Sequence, residues 1–163
     1  MKPRLSALLP WGLIAAVIAI SDQATKAVVE GWLERGEVVR VTGFFNFVLA
    51  YNSGAAFSFL AGAGGWQRWF FVAVASVATV VIAWLLARHR DETLFCAGLS
   101  LILGGAMGNL WDRIVIGHVV DFLDFHAAGW HWPAFNVADS AICVGAALLI
   151  VDGFRNKGAQ LKR

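Results

Sequence analysis

Charge is scarce in this chain. Asp, Glu, Lys and Arg make up only 15% of its 163 residues, where a soluble globular domain carries about a quarter. The few charges nearly cancel, to +2, and the basic residues form no patch interleaved with exposed aromatics. That balance argues against a nucleic-acid partner. There are two cysteines, Cys96 and Cys143, both inside apolar runs, so a disulfide framework is not expected and both read as small buried hydrophobes. Metal-type cysteine spacing is missing, and so is a His-Glu-x-x-His motif around His118, His126 or His131. No Gly-x-Ser-x-Gly elbow surrounds Ser53, which argues against a serine nucleophile. With no internal repeat and no linker, residues 1–163 read as a single polytopic membrane domain.

Apolar residues are abundant, at 59%, with eight Trp and twelve Phe. Aromatics of this kind gather at the water–lipid boundary. Four apolar segments, roughly 9–29, 67–87, 94–116 and 136–154, each approach the 20 or so helical residues that cross a bilayer. Lys2 and Arg4 ahead of the run from Leu5 to Ile20 resemble a cleaved signal peptide. The polar stretch Ser21 to Lys26 followed by further apolar residues to Trp32 fits a retained span better.

Orientation follows from the cations. With the N-terminus inside, Lys2, Arg4, Arg88, Arg90, Arg155, Lys157, Lys162 and Arg163 lie on the cytoplasmic side, against Lys26, Arg35, Arg40, Arg68 and Arg113 outside. The inner loops are also shorter, so the positive-inside rule predicts that both termini are cytoplasmic. Two outer segments remain, 30–66 and 117–135. In the first, Glu37 to Val41 and Phe44 to Leu49 flank a turn at Thr42-Gly43, which predicts two short strands of a small extramembrane β-sheet resting on the outer face. Gly62, Gly64 and Gly65 then provide a flexible return to the second span. The expected fold is mainly α: four transmembrane helices with that sheet.

Acids, amides and bases at membrane depth are costly, so each calls for a reason. Asp22 and Lys26 are four residues apart near the outer end of span one. Asn109, Asp112 and Arg113 share a stretch at the outer end of span three. Asn52 lies in the first outer segment, Asp121 just after span three, and Asn136 with Asp139 at the start of span four. Topology thus brings Asp121 and Asp139 to one level near the outer surface. Gly104, Gly105 and Gly108 with Ala106 offer a small-residue surface for close helix approach.

Two nearby carboxylates cannot both ionise cheaply, so one keeps a proton near neutral pH. The ionised one can activate water and the protonated one can donate, which together suffice for peptide hydrolysis. Asparagines can bind an extended substrate backbone, and Arg113 can hold a carboxylate. Asp22 with Lys26, and Asp112 with Arg113, equally fit simple ion pairs. A non-enzymatic membrane carrier or binding protein using intramembrane acids is the alternative. It predicts repeats or acids spread along a path, whereas these acids gather at one face.

Five stretches carry a resemblance: Asp22-Gln23-Ala24-Thr25-Lys26, Asn52-Ser53-Gly54-Ala55-Ala56-Phe57, Gly104 through Arg113, Val119-Val120-Asp121-Phe122, and Phe135-Asn136-Val137-Ala138-Asp139-Ser140. In order and spacing they resemble the lipoprotein signal peptidase (signal peptidase II) family across nearly the whole chain. The resemblance implies an aspartic endopeptidase of the bacterial inner membrane. Such an enzyme removes signal peptides from diacylglyceryl-modified prolipoproteins, cutting just before the lipidated cysteine, with its active site at the periplasmic face. It implies Asp121 and Asp139 as the catalytic pair, and Asp22, Lys26, Asn52, Gly54, Asn109, Asp112, Arg113, Asn136 and Ala138 as substrate-positioning or structural groups. No metal or organic cofactor is required; the expected partners are the lipidated precursor and membrane lipid, and a monomer is expected.

Overall fold

The computed structural model describes residues 7–54 and 64–160, with side chains through residue 155. The expectations placed on Lys2, Arg4, Ala55, Ala56, Phe57, Gly62, Lys162 and Arg163, and on the side chain of Lys157, lie outside the described residues.

Four long helices dominate: α1 (Leu9–Trp32), α2 (Trp66–Arg88), α3 (Thr93–Val115) and α4 (Val137–Gln160). Each contains a stretch long and apolar enough to cross a membrane, since 20 residues of helix rise about 30 Å. Their outward faces carry Leu13, Val17, Ile20, Val28, Val77, Val80, Trp84, Val144 and Ile150, all more than half exposed. Apolar surface on that scale is tolerable only against lipid or a partner.

Helix α3 is the hub and contacts α1, α2 and α4. Its small residues explain why. A Cβ on Gly104 would sit 2.5 Å from the Ala15 carbonyl oxygen of α1, and one on Gly105 would collide with the Ala138 carbonyl of α4. The small-residue surface anticipated from sequence therefore has two sides, one for each neighbouring helix. Beneath it, Ala15, Ile82, Leu86, Cys96, Leu99 and Leu103 form the core between helices.

The sheet is larger than two strands. Its antiparallel order is β1 (Val38–Arg40), β2 (Phe45–Asn52), β3 (Val119–Ala127) and β4 (Trp130–His131). The β1–β2 hairpin closes around Thr42-Gly43, where the Val41 and Thr42 amides both donate to the Phe45 carbonyl. Strand β2 then runs on to Asn52 and pairs with β3, with Ala50 opposite Asp121 and Asn52 opposite Val119. Strand β3 does not show the half-buried alternation of a surface strand, because Val119, Val120, Asp121 and Phe122 are all buried. Its two faces serve different purposes. Val120 and Phe122 join Val29 and Leu33 at the end of α1, with Leu49, in a second core. Alternation along the strand turns Val119 and Asp121 the other way.

Candidate active site

The polar residues form one continuous network between the helix ends and the sheet. In α1, the Lys26 ammonium lies 2.7 Å from Asp22 Oδ2 and 2.6 Å from Asp112 Oδ2 of α3, with all three side chains under 5% exposed. Its third donor goes to Asn109 Oδ1 at 3.0 Å. Three donors thus meet three acceptors, the condition under which a buried ammonium is tolerated. Gln23 extends the cluster with a 2.7 Å bond to Asp112 Oδ1.

The Asp22–Lys26 pair expected from four-residue spacing is present. The Asp112–Arg113 pair is not what forms: Asp112 turns to Lys26, while Arg113 donates to the carbonyls of Gly54 at 2.9 Å and Asn109 at 3.3 Å and lies over the Phe71 ring. Neighbouring residues on a helix do not face each other, so Asp112 meets α1 while Arg113 reaches the loop after β2.

Helix α4 begins at Val137, and Asn136 caps it. The Asp139 amide donates to Asn136 Oδ1 at 2.9 Å, a first-turn N–H satisfied by the residue before the helix. The Ala138 amide donates to Asp22 Oδ1 at 2.9 Å, so α1 supplies a second cap for α4. These two bonds fix the first turn that carries Asp139.

Each aspartate is held by asparagines. Asp121 accepts from Asn136 Nδ2 at 2.8 Å and from Asn52 Nδ2 at 3.1 Å. Asp139 accepts from Asn109 Nδ2 at 2.8 Å. Asn52 is itself set by a tight turn in which the Gly54 amide donates to its Oδ1. Asn136, completely buried, links the two aspartates: its amide nitrogen reaches the Asp121 carboxylate and its amide oxygen holds the backbone N–H of Asp139. Burial, and next to it the negative charge of Asp139, raise the Asp121 carboxyl from 3.8 to about 7, against the lowering pull of Asn52, Lys26 and Asn136.

Both carboxylates line one cavity of about 450 Å³. Asn52, Asn109, Arg113 and Val119 form part of its wall, Trp132 to Phe135 another part, and Ser140, Ile142 and Cys143 the remainder. Asp22, Lys26, Asp112, Asn136 and Ala138 stand behind this wall as its support. Two groups of lining residues were not foreseen. Ile142 and Cys143 follow Asp139 by three and four positions, so helical spacing would have found them. Trp132 to Phe135 carry no such signal beyond lying next to Asn136. Cys96 is buried, but Cys143 is exposed, because it lies on the cavity face of α4 rather than against α3. The histidines lie elsewhere: His131 bonds to Asp124 at 2.9 Å and stacks on His126, and His118 packs on Tyr51.

An amide-lined pair of carboxylates, one protonated near neutral pH, in a cavity large enough for a peptide segment can carry out general acid–base hydrolysis. Comparison with known proteins agrees with that chemistry. The family model described as Signal peptidase (SPase) II matches residues 14–155. The chain is 59% identical over 146 residues to the lipoprotein signal peptidase of Ralstonia nicotianae, covering 90% of this chain and 84% of that one. It is 56% identical over 153 residues to the lipoprotein signal peptidase of a Janthinobacterium species, covering 94% and 93%. A bacterial membrane enzyme solved by the in meso method at 2.3 Å resolution superposes with a TM-score of 0.80 at 30% identity, over 89% of this chain and 87% of that one. The chain belongs to the signal peptidase II family: it is an aspartic peptidase that removes signal peptides, built as a multi-pass bacterial membrane protein.

Proposed function

We propose that Asp121 and Asp139 are the catalytic pair, and that the bond they cut lies just before the diacylglyceryl-modified cysteine of a prolipoprotein. The observation that carries this reading is that both carboxylates line one cavity, with Asn136 behind them joining the Asp121 carboxylate to the backbone of Asp139. Asp139 accepts a proton from water as the water oxygen bonds to the scissile carbonyl carbon. Asp121, protonated up to about pH 7, donates to the carbonyl oxygen, and a proton then passes to the amine as the C–N bond breaks. The pair titrates as a unit, and each turnover returns its shared proton. Arg113, tied to Gly54, and the amides of Asn52 and Asn109 align the extended substrate backbone.

The cellular setting follows from the same reading. Both termini face the cytoplasm, the cavity faces the outer side of the inner membrane, and the sheet rests on that surface. The lipid on the substrate cysteine holds the scissile bond at bilayer depth, so binding of the acyl chains orients the reacting bond. The protein acts as a monomer in this scheme.

The test uses purified enzyme with lipidated and unlipidated precursors. Asp121→Asn and Asp139→Asn should each abolish cleavage while leaving the melting profile near that of the parent. A folded variant that still cleaves near the parental rate would remove that aspartate from the pair. Equal cleavage of the unlipidated precursor would refute the proposed role of the lipid.

A further inference from the structure

Lys26 does not line the cavity, yet it is one residue removed from a carboxylate that does. Asn109 Oδ1 receives two donors, Lys26 Nζ at 3.0 Å and Asn136 Nδ2 at 3.2 Å. An amide oxygen has two lone pairs; Lys26 takes one, and Asn136 Nδ2, whose two hydrogens are shared among three acceptors, lies against the other. Rotating the Asn109 amide by half a turn would set its NH2 against an ammonium and another NH2. The only orientation that satisfies all partners directs Asn109 Nδ2 at Asp139 Oδ1, where it lies at 2.8 Å. The ammonium also polarises the amide it contacts, and hydrogen bonds in such chains reinforce one another.

We propose that Lys26 is a positioning residue for the reaction: by fixing and polarising the Asn109 amide, it holds a hydrogen-bond donor on Asp139 and so favours that carboxylate as the ionised member of the pair. The inference rests on the assignment of Asp121 and Asp139 as the catalytic pair. It assigns Lys26 a task distinct from substrate contact and from simple ion pairing with Asp22. The charged groups that act on Asp139 are Asp22 and Lys26 from α1, Arg113 from α3 and Asp121 from β3; Asp112 of α3 faces Lys26. Lys26 is flanked by two carboxylates, so its trio carries a net charge of −1. Its direct positive field on Asp139 is opposed by that of Asp22 and is weaker than the hydrogen bond from Asn109.

That charge count designs the test. Lys26→Met alone leaves two buried carboxylates facing each other and is expected to fold poorly. Lys26→Met/Asp112→Asn removes one charge of each sign and keeps the trio at −1. In this double variant kcat/KM should fall about tenfold, the usual effect of losing a supporting partner. The acidic limb of its pH profile, which reports the first proton lost by the pair, should move up by about half to one pH unit, because a donor to the ionised form has been weakened. Asp112→Asn alone, which keeps the Lys26–Asn109 bond and makes the trio less negative, should move that limb down or not at all. A folded double variant with lower activity and an unmoved limb would reduce Lys26 to a structural role and overturn the proposal.

A measurement on the unaltered enzyme decides the matter if the double variant does not fold. In protein labelled with [15N]Asn, the side-chain NH2 signal lost in Asn109→Ser identifies Asn109. That signal should show restricted exchange and shift as the pair titrates. A signal insensitive to pH overturns the relay. The two levels fail separately: an active Asp139→Asn refutes the pair and the relay with it, whereas an inactive Asp139→Asn beside an unmoved limb refutes the relay alone.

Discussion

Replacing Asn136 separates capping from chemistry. The side chain is fully buried: the two hydrogens of its Nδ2 are shared among Asp121 Oδ1, the Val120 carbonyl and, at the longest distance, Asn109 Oδ1, and its Oδ1 accepts the Asp139 amide. Asn136→Ala loses them all. The missing cap costs about 1 kcal/mol. Stranding buried acceptors costs about 1–3 kcal/mol more. The expected drop in melting temperature is on the order of 5–10 °C. Asn136→Ser keeps a capping oxygen but cannot reach Asp121, so it should recover about 1 kcal/mol of the loss. Activity should not recover with it. Asp121 is the protonated member of the pair in the proposed mechanism, so its bond from Asn136 is worth about 0.5–1.5 kcal/mol, and losing it predicts a fall in kcat/KM of about 2- to 10-fold in both variants. The assay pairs thermal unfolding in detergent with cleavage of a lipidated precursor below saturation. If Asn136→Ser is as active as the parent, the bond from Asn136 to Asp121 has no part in the reaction.

Three further outcomes follow from the same geometry. If Asp121, whose carboxyl is pushed up to about 7 by burial and by Asp139, is the acid of the proposed reaction, kcat/KM should decline as pH rises through about 7; a profile flat to pH 9 would contradict that role. Gly108→Ala should destabilise the protein by about 1–3 kcal/mol, because a Cβ there would lie 2.5 Å from Asp22 Oδ2; chemical denaturation reads the change, and an unchanged midpoint would refute the tight fit. In the sheet, burial works to raise the Asp124 carboxyl, but hydrogen bonds from Asn46 and His131 outweigh it and hold the group below 3.8. A carboxyl depressed on folding stabilises above its unfolded value and loses that contribution as pH falls through the folded one, so amide exchange in β3 should accelerate only below about pH 4, and Asp124→Asn should abolish that dependence.

What could be read from the sequence was what depends on local pattern. Long apolar runs are the strongest such signal, and the four helices begin and end within a few residues of the expected spans, α4 extending further at its end. Thr42-Gly43 between two β-rich runs disclosed the first hairpin. Strands β3 and β4 were not foreseen within the second outer segment; in β3 the buried run Val119 to Phe122 hides the alternation that marks a strand. The Asp22–Lys26 pair followed from spacing, but Lys26 also pairs with Asp112, 86 positions away, and no local pattern encodes that contact. The same limit led Asp112 to be matched with its neighbour Arg113. Helix geometry turns adjacent residues to different faces, and only the packing of α1 on α3 shows which face each one takes.

The placement of the cation is what lets two aspartates share one cavity. Among the described residues, neither Asp121 nor Asp139 makes an ion pair; Lys26 is committed to Asp22 and Asp112, and Arg113 donates to carbonyl oxygens. An ammonium in direct contact with either catalytic carboxylate would favour its charged form by lowering its proton affinity, and the pair would lose the proton that a general acid must give. Asparagine donors orient the carboxylates and also favour the charged form, but at Asp121 their pull is outweighed by burial and by the charge of Asp139. The buried lysine meets its own requirement with two acids behind the wall and presents to the cavity only the amide of Asn109. Under the proposed mechanism this arrangement keeps the acid protonated near neutral pH while holding the base in line. Moving the positive charge one residue closer, as in Asn109→Lys combined with Lys26→Met, should therefore shift the cleavage optimum of the folded variant to markedly lower pH. An optimum unchanged in that variant would mean that the exclusion of cations from the two carboxylates is incidental to catalysis.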